Sequence, residues 1–226
     1  MRLVHLTAST LFGGPERQML GLAERLPGEF EVGFVSFAEG GRCGDFLRTV
    51  ENRGFSATQL RADTPRVRAA VRELTELLRF RRIDAVLCHG YKANFVGRAA
   101  ARSLGIPAVA VSRGWTGESL KVRAYEWMDR RRLAGMDHVV AVSDGQAAKV
   151  RAAGVPESKL TVIRNSARTE AFADPDILDL ARLADHFPRD SGVEQVVLAA
   201  GRLSPEKGFD VLIDAARDAL EWLAEH

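Results

Sequence analysis

Short β-branched runs alternate with stretches of helical periodicity along this chain, the pattern of βαβ units built on a parallel sheet. The first run, Leu3 to Thr7, leads into a helix over Pro15 to Leu26, where Met19, Leu22, Ala23 and Leu26 share a face. Strands follow at Val32 to Phe37 and Phe55 to Leu60, with a short helix from Asp45 to Arg53 between them, stopped by Gly54. Thr64-Pro65 has the chemistry of a helix start, a capping hydroxyl and then proline at the first helical position. Val67, Ala70, Val71, Leu74, Leu77 and Leu78 give that helix a continuous apolar stripe, and its other face is lined with arginine. Ile83 to Cys88 reads as strand four, Asn94 to Leu104 as a helix ended by Gly105, and Pro107 to Ser112 as strand five. A helix over Leu120 to Leu133, a strand over His138 to Val142, a Ser143-capped helix to Ala153 and a strand over Leu160 to Ile163 complete the series. The fold predicted is α/β, a doubly wound parallel sheet.

The pattern changes at Ser166. Residues 166–192 carry acids, Pro175, Pro188 and one amphipathic stretch, and they read as a connector between a domain at 1–165 and a second one opening at 193. Within 193–226, Gln195 to Ala200 predicts a strand and Phe209 onward a helix.

Composition narrows the function classes. A net charge of +2 gives no global field that would draw nucleic acid or acidic partners. The basic residues are almost all arginine, a bias that a GC-rich genome produces without functional pressure. Cys43 and Cys88 fit no metal-ligand spacing, and a reducing cytoplasm is the default compartment for two isolated thiols. The sequence enters its first strand at once, without signal-peptide architecture, and no apolar run reaches the roughly 18 residues of a membrane span. Membrane contact, if made, is expected to be peripheral, at the inner face.

In open parallel sheets ligands sit beyond the carboxyl ends of the strands, so the chemistry is sought there. After strand one, Gly13 and Gly14 let the backbone come close to a ligand, and Pro15 opens a helix whose first N–H groups suit an anion. The spacing is not the dinucleotide G-x-G-x-x-G, and a plain tight turn would use the same residues. After strand four come His89, Tyr91, Lys92 and Asn94, suited to a hydroxylated ligand or simply to capping and packing the next helix. After strand five, Arg113, Trp115 and Glu118 stand among two glycines. The Lys121 to Leu133 helix is basic with interleaved aromatics, as on a lipid surface, although Glu126 and Asp129 dilute it to an ordinary solvated face. Asp174-Pro175-Asp176 is a D-x-D within the connector, away from any strand end, and reads as structural. The strongest signal is Gly201-Arg202-Leu203-Ser204-Pro205-Glu206-Lys207-Gly208. There, two cations at a helix start suit a diphosphate.

Taken in order, Gly13-Gly14-Pro15-Glu16-Arg17, Ser112-Arg113-Gly114-Trp115, Val142-Ser143, Val162-Ile163-Arg164-Asn165 and the Gly201 to Gly208 segment resemble the family 4 retaining glycosyltransferases of the GT-B fold. The resemblance covers nearly the whole chain. It implies an N-terminal Rossmann-like acceptor domain and a C-terminal donor domain. It also implies a nucleotide-sugar donor, a lipid-linked or saccharide acceptor, as in polysaccharide synthesis, and no metal or other cofactor. By that carry-over Arg202 and Lys207 hold the donor diphosphate, with Gly13 and Gly14 near the phosphates, while His89, Arg113 and Glu118 face the acceptor.

Two departures qualify the match. Many relatives have histidine where this chain has Arg113, and family members continue to a paired-glutamate motif beyond the point where this sequence ends. The expectations are therefore an incomplete transferase whose missing half is a separate chain or a lost segment, a non-catalytic acceptor-binding module, or, more weakly, a nucleotide-sugar epimerase. These 226 residues alone should show negligible sugar transfer in a labelled-donor assay. Robust transfer without a partner would overturn that. In a complete enzyme, loss of either cation should slow transfer about a hundredfold or more.

Overall fold

The structure is a computed structural model that describes residues 1–115, 120–166, 197–201, 203 and 205–225, with backbone alone at 121, 206 and 223–225. The chain divides into two compact units, Met1–Ala167 and Arg168–His226.

The first unit is a seven-stranded, wholly parallel sheet. In chain order its strands are β1 (Arg2–Thr7), β2 (Glu31–Phe37), β3 (Ser56–Leu60), β4 (Ala85–His89), β5 (Ala108–Ser112), β6 (His138–Ala141) and β7 (Leu160–Val162). In space they run β3-β2-β1-β4-β5-β6-β7, so the winding reverses between β1 and β4. The helices between them are α1 (Gly14–Ala23), α2 (Gly44–Asn52), α3 (Val67–Phe80), α4 (Tyr91–Leu104), α5 (Leu120–Leu133) and α6 (Asp144–Ala152). Right-handed crossovers send connections that move in opposite directions along the sheet to opposite faces. Period-two alternation along β2 feeds both faces. Val32 and Phe34 join Met19, Leu20, Phe46 and Val50 beneath α1 and α2. Val35 and Phe37 join Leu74, Leu78, Val96 and Leu133 beneath the helices of the other face.

Several boundaries differ from expectation, each for a local reason. The Asp63 carboxylate takes the Thr64 amide at 2.6 Å and residues 63–66 close a turn. Consequently α3 starts at Val67 and has no side-chain cap. Gly90, at φ +90°, turns the chain so sharply that α4 begins at Tyr91 rather than Asn94. His89 is consequently the last residue of β4, not the first of a loop. Ser143 does cap α6, its Oγ accepting the Gln146 amide at 3.1 Å.

In the second unit, a single 3-10 turn at Pro205–Lys207 leads through Gly208, at φ +60°, into α7 (Phe209–Glu225). Residues 197–200, expected as strand, have no regular structure, because among the described residues they have no ladder partner. Val197 and Leu198 stand 84% and 82% exposed.

Close packing of α4 on β4 and β1 depends on Gly97. A Cβ there would stand 2.4 Å from Cys88 Sγ and 3.1 Å from Leu6 Cδ2, both in the fully buried core. Gly97→Ala should therefore lower stability by about 1–3 kcal/mol despite the helix propensity of alanine. Adding Cys88→Ala should restore part of that loss in a denaturant-unfolding cycle.

Candidate functional site

The reversal between β1 and β4 opens a crevice at the carboxyl ends of these two strands, and three segments meet around it. The first is the loop from β1 to α1. Ser9 is buried and its Oγ donates to the Leu11 carbonyl at 3.0 Å. Gly13 donates its amide to Glu16 Oε2 at 3.0 Å, so the acid in the first turn closes the start of α1 and lies favourably against the helix dipole. A side chain at Gly13 would stand 2.9 Å from Leu11 Cδ1, whereas the space beside Gly14 is open. The two glycines thus differ: a side chain at Gly13 would have to displace the exposed Leu11 side chain, whereas one at Gly14 would meet nothing.

The second and third segments are the ends of β4 and β5, joined to β1 by a chain of hydrogen bonds. Arg113 Nη1 lies 2.7 Å from His89 Nδ1, and His89 Nε2 lies 2.8 Å from His5 Nδ1. Guanidinium can only donate. His89 Nδ1 must then be the acceptor and Nε2 carries the ring proton, which is donated to His5 Nδ1. His5 in turn carries its proton on Nε2, a buried atom with no partner among the described residues. The ring planes of the two histidines lie 18° apart, close to the coplanarity an in-plane N–H···N bond needs, and His5 also stacks on Phe34 at 5.0 Å.

Burial, and then the Arg113 charge, push the His5 imidazole down to about 3. Burial, His5 and Arg113 together hold His89 well below the ordinary histidine value. Both rings are neutral at physiological pH. Arg113 is half-buried, has a buried Nε without a partner, and forms no salt bridge among the described residues. Burial weakens its hold on its proton and nearby Glu16 opposes that, but a guanidinium stays charged.

The other expected residues are distributed differently. Asn94 is buried and donates to Asp129 Oδ1 at 2.8 Å, while its own Oδ1 has no partner among the described residues. Trp115 Nε1 donates to the other Asp129 oxygen at 3.2 Å. Tyr91 stacks on Tyr125 with ring centroids 5.0 Å apart. The Lys92 ammonium is held by Glu39 at 2.5 Å and by Asp63, over the Phe37 ring at 4.4 Å. It is neutralised at the β2–β3 side and does not join the His89 cluster. Glu118, Arg202, Asp174 and Asp176 lie outside the described residues. Lys207 ends the 3-10 turn of the second unit, its stem beside Gly201. Among the described residues no three His, Cys, Asp or Glu side chains gather as a metal site. His5, Glu16 and Asp129 were not among the expected site residues. The available signal for His5 was a polar residue in mid-strand between Val4 and Leu6, and for Glu16 its place three residues after a loop glycine.

Residues 12–171 match the family described as Glycosyltransferase Family 4. The chain belongs to that family. This family 4 chain is 27% identical over 231 residues to UDP-Gal:alpha-D-GlcNAc-diphosphoundecaprenol alpha-1,3-galactosyltransferase of Escherichia coli, covering 98% of itself and 58% of that enzyme. HepE of Anabaena, solved in complex with UDP and glucose, matches with a TM-score of 0.68 at 22% identity, over 96% of this chain and 57% of HepE. A putative UDP-N-acetylglucosamine 2-epimerase from Listeria monocytogenes matches with a TM-score of 0.56 at 14% identity, over 71% of this chain and 44% of its own. The two structural likenesses establish a shared GT-B-type α/β fold. The family 4 chain thus spans about half the length of the relatives it matches, 44% to 58%. No helix among its described residues is long and apolar enough to cross a membrane.

The relay yields a pH prediction. For both histidines the folded-state affinity for a proton lies below the unfolded value of 6.5. For His5 this contribution to stability is complete above pH 6.5 and is lost as pH falls toward 3, where the unfolded chain binds the extra proton, and the contribution of His89 is lost in the same direction. Nitrogen NMR should show His5 and His89 as Nε2–H tautomers, with His5 neutral until pH approaches about 3 and His89 neutral well below the ordinary histidine range. Arg113→Met should release the tautomer of His89. In His5→Asn, unfolding midpoints should vary less with pH below 6.5 than in the wild type.

Proposed function

We propose that this chain supplies the acceptor-binding part of a retaining, nucleotide-sugar-dependent glycosyltransferase acting on a lipid-linked or saccharide acceptor. Family membership supports the reaction class. The name of the E. coli relative, which specifies a diphosphoundecaprenol-linked substrate, supports an acceptor that carries phosphate. UDP and glucose held by HepE support a nucleotide-sugar donor.

The observation that carries the proposal is Arg113, a half-buried guanidinium at the carboxyl edge of β5 with no carboxylate salt bridge among the described residues. Neutral His89, and His5 behind it, fix one of its N–H groups, so the remaining donors are presented without the cost of ordering a free side chain. A guanidinium held this way suits a phosphate oxygen of the acceptor. Gly14, beside open space at the start of α1, offers backbone to the same anion.

Lys207, with Arg202, is assigned to the donor diphosphate. As the glycosidic bond breaks, charge builds on that leaving group, and fixed cations stabilise it in the transition state. Two cations supply the neutralisation a divalent ion would otherwise give, so transfer is proposed to need no metal. The likeness to epimerases is one of fold alone and adds no specific residue to that reading.

Calorimetric titration of the chain in detergent with a polyprenyl-diphosphate sugar tests the role of Arg113. Arg113→Ala should weaken binding about ten- to a hundredfold, the range of a lost hydrogen bond to a charged group. Arg113→Lys should recover only part, because it lacks the fork that also reaches His89. Equal affinity of wild type and Arg113→Ala would overturn the assignment.

A further inference from the structure

Asp129 stands on α5, a helix whose sequence reads as a solvated face, yet its side chain is half-buried and tied to two other segments. Its Oδ1 accepts from Asn94 Nδ2 at 2.8 Å, and its Oδ2 accepts from Trp115 Nε1 at 3.2 Å. Asn94 lies in the first turn of α4, which β4 enters through His89 and Gly90. Trp115 follows β5, two residues beyond Arg113. One carboxylate thus joins α5 to the two segments that carry His89 and Arg113.

The indole is seated in other ways too. Its ring packs against the larger core cluster, and Arg130 lies 4.6 Å over it. Between Trp115 and Arg113 stands Gly114 at φ +130°, a backbone conformation that side chains other than glycine rarely allow. With that bend in the chain, the place of Trp115 decides the path along which the backbone leaves Arg113. From the sheet side Arg113 is held by His89, at Nη1. The bridge has a cost: Asn94 Oδ1 stays buried with no partner among the described residues.

We propose that Asp129 is a positioning residue for the acceptor site: through Trp115 it fixes the segment 113–115, and with it the direction of the Arg113 donors. A hydrogen bond to an ionised acceptor is stronger than one to a neutral group, so the hold on the indole depends on the charge of Asp129. Asn94 Oδ1 marks the alternative state. A proton taken from water by Asp129 turns Oδ2 from acceptor into donor, offers Asn94 Oδ1 the partner it lacks, and leaves the indole without its charged acceptor. Burial holds the Asp129 carboxyl above the ordinary carboxylate value and Glu126 adds to this, while Asn94, Trp115 and Arg130 oppose it. The contact from α4 is the neutral Asn94 amide, since Lys92 is turned to Glu39 and Asp63, and Arg98 to the Gly135 carbonyl. The role in ligand binding rests on the acceptor site proposed above, whereas the ordering of Arg113 does not.

The chain holds three tryptophans, so Trp115→Phe identifies the Trp115 indole by the N–H signal it removes from a proton–nitrogen spectrum. In the wild type that signal should titrate with a midpoint above the ordinary aspartate value of about 3.9, and in Asp129→Ala it should not titrate. Trp115→Phe keeps a ring in place and deletes the N–H, so it tests the proposal even where Asp129→Ala fails to fold. It should shift the His89 Nδ1 resonance, because the Arg113 bond to that atom is no longer held in direction. In calorimetry with the polyprenyl-diphosphate sugar in detergent, it should weaken binding about three- to tenfold. Combined with Arg113→Ala it should add little, since a residue acting through Arg113 has nothing to position once that side chain is gone, whereas a general loss of stability would add in full. An unmoved His89 Nδ1 resonance, an indole signal that does not titrate, or full additivity with Arg113→Ala would each overturn the proposal. Unchanged affinity in both Arg113→Ala and Trp115→Phe, with the His89 resonance shifted, would instead overturn the acceptor site and uphold the ordering of Arg113 by Asp129.

Discussion

Across the seam where the sheet changes direction, His5 of β1 and His89 of β4 are both buried and are joined by a hydrogen bond of 2.8 Å. The bond is possible because parallel pairing sets Thr7 opposite His89 and His5 opposite Leu87, so the two imidazoles are diagonal neighbours on the same face of the sheet. Buried polar groups must find partners or cost about 1–3 kcal/mol each, and here the two imidazoles satisfy most of each other's requirement. The remaining acceptor, His89 Nδ1, is met by Arg113 from the neighbouring strand. One constraint thereby orders three strand ends, fixes two tautomers and sets the direction of a guanidinium.

That arrangement leaves an electrostatic imbalance at the crevice. The cation is partly withdrawn from water, and the acid that acts on it among the described residues, Glu16, is already engaged with the Gly13 amide. Elsewhere in the same unit, cations near the core are matched directly, as Lys92 is by Glu39 and Asp63. The lysine is thus a structural clamp, whereas Arg113 has no carboxylate partner among the described residues.

Much of the fold was legible because hydrophobic periodicity is local. The stripe of Leu74 and Leu78, the alternation in β2 and the Ser143 cap each depend on neighbours within a few residues. Boundaries were less legible where a contact from outside the element intervened. Asp63 tied the Thr64 amide and delayed α3, and Gly90 adopted a left-handed turn that drew His89 into β4. The strand expected at 195–200 failed in its described part for the reverse reason, since a strand needs a partner that its own residues do not supply.

For the site, sequence reasoning supplied residue types and the rule that places them, and so brought Gly13, Gly14, His89 and Arg113 to the carboxyl edge. It could not separate Lys92 and Asn94, engaged with Asp63 and Asp129, from Arg113, because those partners lie 29 and 35 residues away along the chain. Nor could it find His5, which reads as one more member of a strand until β4 is laid beside it. Composition and periodicity alone determined a doubly wound sheet and a basic, arginine-rich outer face. Which cations are spent within the molecule and which remain for a ligand was decided only by the tertiary structure, because a charge's partner is set by distance in space, and spacing along the chain does not encode it.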